Sequence, residues 1–471
     1  MDLVDLTLTQ AREALTRKDF SSVEYTRALL ARTTQARSLN AYISHDSQAL
    51  LAASAQADAQ GISTSLEMPL GGVPIALKDN INTRTLPTSG GTRALLGRVP
   101  PADAPAAQAL WSAGALLAGK ANMHELAFGI TNNNAVTGAS RNPWDPSLIP
   151  GGSSGGAAVA VAARMVPAAL GTDTGASVRL PAALCGIVGF RPTVGRYNNS
   201  GVIPISHTRD TLGSLARSVQ DVILIDSVLS GNRAHPPRTA LRGKRLGVPR
   251  SICFAGGQKS VLRVVETALE RLQEHGIELV DVDMTPLMPL NEAVGFPVAL
   301  YELSQDMPAY LKACGYSLSL SDVAAQIGSA DVAGIVNSQL GEQAMPRETY
   351  LNALQARGRL QAAYQDLFTR LRLDALAFPT SVLTARPIGE DETVEIDGIR
   401  FPTFASYIRN TDPGSNAGIP GISLPAGLTS EGLPVGLELD GPAGQDMALL
   451  ALASAIEEVL EPMASATAWR A

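Results

Sequence analysis

Three short segments of this 471-residue chain hold residue types that could do chemistry. The first ends in Lys78, which closes the apolar run VPIALK. A lysine at the end of a buried strand either extends to water or loses its proton in a desolvated site, where the neutral amine can act as a base. Lys120, in ALLAGKANMHE, has very similar surroundings in the sequence. Nothing local distinguishes the two lysines.

The second segment is PGGSSGG, residues 150–156, in which Ser153 and Ser154 lie among four glycines. Its G-x-S-x-G spacing is that of a nucleophile elbow, but an elbow directly follows a strand and the preceding WDPSLIP has no strand pattern. A phosphate-binding loop would need Gly-Lys-Ser/Thr after a strand. Two interpretations stay open: a flexible loop, or a serine whose unusual backbone conformation the glycines permit.

The third segment is GTDTGASVR, residues 171–179, where two glycines bracket a turn after an apolar run. Backbone N–H groups in such a turn can converge and bind an oxyanion, with Ser177 beside them, although an ordinary turn has the same pattern. A Ser-His-Asp triad could be drawn with His207 and Asp210, but no motif supports it. The chain has no HxH or HxxxH pair, so we expect no metal site.

The hydrophobic pattern predicts the elements that must position these segments. Alternating apolar residues over 73–77 indicate a buried strand that ends at Lys78, and the apolar run after residue 156 indicates a buried helix. Residues 129–156 have no periodicity and predict a long loop, which is usually functional. Near the N-terminus, Ser21 and Glu24 form a capping box that predicts the start of a helix.

A strand, a helix and a strand follow one another within residues 241–284. The helix is the amphipathic stretch over 260–275, and Gly276 is suited to end it. This alternation predicts an α/β fold with helices packed on a largely parallel sheet. Residues 285–370 have a mostly helical pattern. Because no linker interrupts the chain, we expect one large domain rather than three.

Composition and charge exclude several classes of protein. The net charge of −7 without a basic run argues against a nucleic-acid partner. Three widely spaced cysteines argue against disulfides and a zinc site and favour a reducing compartment. The chain has neither an apolar stretch long enough to span a membrane nor the pattern of a signal peptide. We therefore expect a soluble, cytoplasmic protein.

Taken together, Lys78, PGGSSGG and GTDTGASVR resemble the amidase signature family. Ser153 follows Lys78 by 75 residues and precedes Ser177 by 24, as in that family, and the similarity extends from about residue 5 to about residue 460. The resemblance implies one domain over residues 1–471 with an α/β/α fold, in which helices cover both faces of a large mixed β-sheet. It also implies that residues 285–400, mostly helical, shape the substrate site.

The resemblance also implies the roles of individual residues. These are catalytic Lys78, Ser153 and Ser177, oxyanion-hole Thr174, Gly175 and Ala176, and substrate-binding Ala127, Phe128 and Gly129. Ser153 would link lysine and nucleophile through a cis peptide bond, and Lys120 would be structural. Ala176 stands where most members have glycine, so a positive φ there would strain this chain. We expect the small Ala127 and Gly129 to leave room for an aromatic acyl group.

Further strings are similar to one branch of the family, which hydrolyses indole-3-acetamide. They are NMHELAFGITNNN, ISHTRDTLG, FPVALYE and RNTDPGSNAGIPGISLP. The resemblance implies a Ser-Ser-Lys amidase that forms an acyl-enzyme and uses no cofactor and no metal. A mandelamide-type or broader aryl and alkyl amidase is the nearest alternative, and an amidotransferase subunit that supplies ammonia is a remoter one. The expected partner is a small amide, with no nucleic acid or membrane, and a homodimer is left open.

Overall fold

An 11-stranded β-sheet connects most of the strands in the computed structural model, which describes residues 2–234, 236–460, 463 and 466. The strands of this sheet are β1 (Tyr42–Ser44), β2 (Pro74–Lys78), β3 (Leu116–Ala121), β4 (Ala168–Asp173), β5 (Val188–Arg191), β6 (Thr211–Ala216), β7 (Arg245–Val248), β8 (Glu278–Asp281), β9 (Ala375–Pro379), β12 (Gly421–Leu428) and β13 (Pro434–Asp440). Their spatial order is β1-β3-β2-β4-β6-β5-β12-β13-β9-β7-β8. The remaining pair, β10 (Thr393–Ile396) and β11 (Ile399–Pro402), forms a separate hairpin.

Helices connect the strands and fill the region before β9. They are α1 (Leu8–Arg17), α2 (Ser22–Gln35), α3 (Ser47–Ala59), α4 (Pro105–Ser112), α5 (Gly155–Ala162), α6 (Arg179–Cys185), α7 (Val219–Leu229), α8 (Lys259–Glu274), α9 (Met288–Ala313), α10 (Leu320–Ala324), α11 (Ala330–Asn337), α12 (Arg347–Leu371), α13 (Thr403–Ile408), α14 (Asp412–Ala417) and α15 (Asp446–Glu457). In the described part of the chain, no helix is long and apolar enough to cross a membrane.

Adjacent residues of β2 show that helices cover both faces of the sheet. Ile75 and Leu77 pack in one apolar cluster with residues of α1, α2, α4 and α7. Ala76 packs in a second cluster with α5. Because successive side chains of a strand point to opposite faces, the two clusters lie on opposite faces of the sheet. The expected sheet with helices on both faces is thus confirmed.

The sheet is mixed, so the prediction of a largely parallel sheet from the pattern alone was wrong. The β2–β3, β2–β4, β7–β8 and β7–β9 pairs are parallel, and β7–β8 is the pair that the predicted strand-helix-strand crossover requires. The hairpin of β12 and β13 enters the middle of the sheet and adds antiparallel pairs with β5 and β9. The large mixed sheet implied by the family resemblance is confirmed.

Local sequence signals mark several helix ends correctly. The Ser21 hydroxyl accepts a hydrogen bond from the Glu24 N–H, and the Glu24 carboxylate accepts one from the Ser21 N–H, at the start of α2. Gly276, just after α8, has φ +91°, a left-handed conformation that glycine adopts without strain. The helical region after residue 285 comprises α9 to α12. These features depend on neighbours in the sequence, which is why pattern alone predicts them.

Candidate active site

Lys78 is fully buried at the end of β2, where its amine meets two hydroxyl groups. Nζ is hydrogen-bonded to Ser153 Oγ at 2.8 Å and to Thr172 Oγ1 at 2.8 Å. Burial lowers the pKa of Lys78 to about 7, and the carboxylates of Asp173 and Asp210 limit the fall. The amine can therefore be neutral near physiological pH and accept a proton from a neighbouring hydroxyl.

Sheet register separates Lys78 from Lys120. Lys78 follows Ala76 by two residues and so points to the α5 face, whereas Lys120 pairs with Leu77 and points to the opposite face. There Lys120 Nζ donates to the carbonyl of Ile81 and to Thr88 Oγ1. Burial lowers the pKa of this amine too, to about 8. Lys120 thus stabilises the segment after β2 and makes no hydrogen bond with the serine pair.

Ser153 lies at the end of the long loop, just before α5. Residues 128–154 form no helix or strand, as the sequence predicts, so no strand precedes the serine and the elbow geometry is absent from this segment. The Gly152–Ser153 peptide bond is cis. A Cβ on Gly155 would lie 2.6 Å from Cγ of Asn132, and one on Gly156 would collide with the Asn122 carbonyl. Glycine is therefore required where α5 approaches the loop.

The turn over residues 174–177 has its carbonyl groups and its N–H groups in different environments. Each of the four carbonyls accepts a hydrogen bond, from Arg209, Arg179, Leu180 and Ser154 in chain order. Within the described residues, none of the four N–H groups donates one. Consecutive free N–H groups beside a serine can bind a developing oxyanion. The φ angle of Ala176 is not positive, so the strain expected from its replacing glycine does not arise.

Ser177 lies beside that turn and faces a cavity. Its exposed fraction is 8%, against 0% for Ser153. The backbone joins the two serine segments, because the Ser154 N–H donates to the Ser177 carbonyl at 3.1 Å. Among the described residues, the Ser177 hydroxyl makes no hydrogen bond with Ser153. Ser153 thus contacts the Lys78 amine, whereas Ser177 borders the cavity.

The cavity that Ser177 faces is mostly apolar and encloses about 690 Å³, including its mouth. Its lining consists of Ala127, Phe128, Gly129, Ile130, Thr174, Gly175, Ser177, Ile205, Arg209, Gly295, Phe296, Ala299, Ile335, Phe404, Ile408 and Asp412. All three residues expected to bind substrate, Ala127, Phe128 and Gly129, are among them. Ala176 and Ser153 are buried and are not among the lining residues.

Gly129 lines the pocket, but the structure gives a reason for glycine at this position that differs from the expected one, which was room for an acyl group. A Cβ at position 129 would collide with the imidazole ring of His124. His124 Nε2 is hydrogen-bonded to Asp331 Oδ2 at 3.1 Å, while Nδ1 accepts from the Asn132 N–H. The missing side chain of Gly129 therefore makes space for His124.

Two charged residues of the pocket were not predicted as site residues. Arg209 and Asp412 form an ion pair of 2.7 Å beside the turn. Both lie in strings that carry the family resemblance, ISHTRDTLG and RNTDPGSNAGIPGISLP, but nothing in the sequence indicates that the two strings meet. Only the packing of α14 against the residues before β6 brings them together.

The histidine alternative does not fit the geometry. His207 is exposed and its Nδ1 lies 3.0 Å from Asp306 Oδ2, whereas Asp210 accepts a hydrogen bond from Thr174 Oγ1 at 2.6 Å. Within the described chain, His207, Glu302 and Asp306 are spaced closely enough to ligate an ion. However, both oxygens of Glu302 already accept hydrogen bonds from protein hydroxyls, so this cluster is well explained as a structural network.

Comparisons with known proteins find relatives that match along nearly the whole chain. The family model described as Amidase matches residues 24–450. The indoleacetamide hydrolase of Agrobacterium vitis is 46% identical over 96% of this chain and 97% of its own length. The mandelamide hydrolase of Pseudomonas putida is 41% identical over 97% and 92%. A crystal structure of an amidase superposes with a TM-score of 0.86 at 32% identity, covering 97% of this chain and all of that one. The peptide amidase of Stenotrophomonas maltophilia superposes with a TM-score of 0.78 at 30% identity, covering 96% of both chains.

Proposed function

Because the chain belongs to the amidase family and is an amide C–N hydrolase, we propose that it cleaves a primary aryl-acetamide to the arylacetate and ammonia. The specific substrate in this proposal is indole-3-acetamide, which yields indole-3-acetate. Relatives named for that substrate align with nearly the whole chain, so the segments that line the pocket fall within the aligned region.

The observation that carries the substrate class is the aromatic lining of the pocket that contains Ser177. Phe128, Phe296 and Phe404 all border it, and the rings of Phe296 and Phe404 have centroids 5.9 Å apart. A planar aryl ring of roughly 150–250 Å² would gain several kcal/mol from burial there, at about 25 cal/mol per Å². A short alkyl group would gain much less, so the pocket favours an aryl substrate.

The chemistry begins with a proton relay. Neutral Lys78 accepts the proton of the Ser153 hydroxyl, with which its amine is already in contact. Ser153 in turn accepts the proton of Ser177, whose hydroxyl must move within hydrogen-bond distance for this step. A serine hydroxyl is a weak nucleophile unless a base removes its proton, so the relay activates Ser177. This is a lysine-based variant of triad catalysis.

The activated Ser177 oxygen attacks the amide carbonyl, and the carbonyl oxygen becomes an oxyanion. The free N–H groups of the turn 174–177 stabilise it, each worth about 3 kcal/mol in comparable sites. The C–N bond then breaks, and the proton returns through Ser153 to the departing ammonia. Water attacks the Ser177 ester by the same relay and releases the arylacetate, so the cycle consumes only the amide and one water.

A panel of amides tests the proposed substrate class. We expect the purified enzyme to release ammonia from indole-3-acetamide and phenylacetamide with a kcat/KM at least tenfold above that for propionamide. Equal values for the aryl and alkyl amides would remove the aromatic-substrate proposal. Release of ammonia from glutamine at a higher kcat/KM would favour the amidotransferase alternative instead.

A variant pair tests whether the pocket holds the aryl ring. Phe404→Ala should raise KM for indole-3-acetamide about tenfold and leave propionamide nearly unchanged, because only the aryl substrate loses the ring contact. Phe401→Ala is the matched control, since Phe401 is a half-buried ring nearby that does not line the pocket. Equal effects of the two variants would mean that the aryl group binds elsewhere.

Mandelamide is a second candidate substrate, because a mandelamide hydrolase is 41% identical along most of the chain. It differs from phenylacetamide by one hydroxyl on the carbon next to the carbonyl. A site built to hydrogen-bond that hydroxyl discriminates strongly against the analogue that lacks it. The ratio of kcat/KM for mandelamide and phenylacetamide therefore decides between the two specificities: a large ratio favours mandelamide and a ratio near one favours the aryl-acetamide proposal.

A further inference from the structure

We propose that Arg209 is a positioning residue for the reaction: it orients the oxyanion-binding turn from behind, and so acts on the transition state more than on substrate binding. The inference rests on the proposed function, because it takes Ser177 as the nucleophile and the turn 174–177 as the oxyanion hole. Arg209 is only 4% exposed, although it borders the pocket.

The guanidinium of Arg209 joins three parts of the site. Nη1 donates to the Gly295 carbonyl in α9 at 2.6 Å, and Nη2 donates to Asp412 in α14 at 2.7 Å. Nη2 also donates to the Thr174 carbonyl at 3.2 Å. Gly295 and Asp412 both line the pocket. One rigid fork thus ties the turn to α9 and α14, each of which contributes residues to the pocket lining.

Peptide geometry explains how a bond to a carbonyl can orient an N–H group. The C=O and N–H of a trans peptide point in opposite directions, so fixing one fixes the other. Arg209 holds the Thr174 carbonyl and thereby directs the Gly175 N–H to the other side. Arg179 holds the Gly175 carbonyl at 3.1 Å, which directs the Ala176 N–H in the same way. Each of these N–H groups is therefore held from behind by an arginine.

The two arginines differ in what else they hold. Arg179 is fully buried and pairs with Asp173 at 3.1 Å and Glu438 at 2.9 Å, so its loss would disrupt the fold as well as the turn. Among the described residues, Arg209 makes one ion pair, with Asp412 of the pocket lining. Arg209 is therefore the position at which the orientation of the turn can be tested with the fold maintained.

The experiment compares Arg209→Lys with wild type, using indole-3-acetamide as substrate. Lysine keeps the positive charge beside Asp412 but cannot reach three acceptors in a fixed fork. We expect kcat to fall about 10²-fold, the loss typical of one misplaced oxyanion donor, while KM changes less than about threefold. The Kd of an arylmethylboronic acid, which forms a tetrahedral anion on a nucleophilic serine, should rise in parallel with the loss of kcat. The Kd of the arylacetate product should not.

Arg12→Lys is the matched control. Arg12 is another buried arginine that donates to three carbonyls, those of Ser63, Ser65 and Gly71, and none of them is in the site. This variant should lower the midpoint of unfolding and leave kcat and the boronate Kd unchanged. If Arg209→Lys does not fold, Asp412→Asn tests the same fork, because it weakens the anchor of Nη2; a fall in kcat of about tenfold is then expected.

The outcomes separate this inference from the proposed function. If wild type hydrolyses no aryl-acetamide, the proposed function fails. If wild type is active and a folded Arg209→Lys or Asp412→Asn variant keeps its kcat, only the role of Arg209 is overturned. A rise in KM with unchanged kcat would likewise overturn it, since that result means that Arg209 binds the substrate directly.

Discussion

The Lys78 amine and the Ser153 hydroxyl lie 2.8 Å apart, although 75 residues separate them in the chain. The contact joins the end of a buried strand to the loop before a buried helix, and both residues are inaccessible to solvent. A buried amine whose pKa has fallen to about 7 can then exchange a proton with a hydroxyl that has no access to bulk water. The proposed proton relay depends on this contact.

Replacing the two buried lysines should separate catalysis from stability. Lys78→Ala removes the proposed base and should lower kcat by about 10²- to 10⁴-fold in a folded protein. Lys120→Ala should act through stability, because it leaves buried Asp79 without the amine that lies 3.9 Å away. Steady-state kinetics and denaturant unfolding of both variants check this. A folded Lys120→Ala enzyme without activity, beside an active Lys78→Ala enzyme, would show that Lys120 is the base.

Ser177→Ala should abolish turnover and leave the fold intact. The change removes only a hydroxyl that faces the pocket, so the midpoint of unfolding should stay close to that of wild type. We expect kcat to fall by at least about 10³-fold, as for nucleophiles in other triads. Ammonia release by the purified variant is the measurement, and an unchanged rate would exclude Ser177 as the nucleophile.

The rate should depend on pH through Lys78. Below its pKa of about 7 the amine is protonated and cannot accept a proton, so activity is lost as the pH falls. We expect kcat/KM to rise about tenfold per pH unit below this value and to level off above it. The profile of kcat/KM between pH 5 and 9 for wild type checks the prediction. A rate that stays flat over this range would contradict a lysine base.

Arg179 should be essential to the fold. Its guanidinium lies among the buried carboxylates of Asp173, Glu438 and Asp440. Burial by itself would lower the pKa of Arg179, but the negative charges of these carboxylates raise it above its ordinary value. Arg179→Met leaves these carboxylates without their main partner and should cost about 3–5 kcal/mol of unfolding free energy.

Arg250→Met is the control for Arg179→Met, because Arg250 pairs with Glu266 and Asp281 in a partly exposed position. Exposed pairs contribute about 0–1 kcal/mol, so the loss should be small. Urea unfolding of the two variants measures the difference. A similar loss of unfolding free energy in both variants would mean that other groups stabilise the buried carboxylates when Arg179 is absent.

Gly129→Ala should impair the enzyme on every substrate alike. The new Cβ collides with the His124 ring, which must move and give up its contact with Asp331. We expect a loss of about 1–3 kcal/mol in unfolding free energy and equal losses of kcat/KM for indole-3-acetamide and propionamide. Gly334→Ala in α11 is the control, since nothing lies within 4 Å of a Cβ there. A selective loss with the aryl substrate would instead mean that position 129 faces the acyl group.

Local features of this protein follow from patterns within single segments of the chain. Alternation over residues 73–77 predicted β2, the capping box of Ser21 and Glu24 predicted the start of α2, and missing periodicity predicted the long loop before α5. These signals succeed because they depend on neighbours within one element. The family resemblance added the mixed sheet, which the pattern alone assigned as largely parallel.

Which side chains meet depends on contacts between distant segments, and pattern within one segment does not show them. Lys78 and Lys120 look alike in sequence, but pairing of Lys120 with Leu77 sends the two amines to opposite faces of the sheet. The alternation of a strand shows that successive side chains point to opposite faces of the sheet. It does not show which of the two faces α5 covers. Likewise, Arg209 and Asp412 are 203 residues apart and meet only because α14 packs beside the turn. Such contacts depend on register and packing between distant segments, which local pattern does not encode.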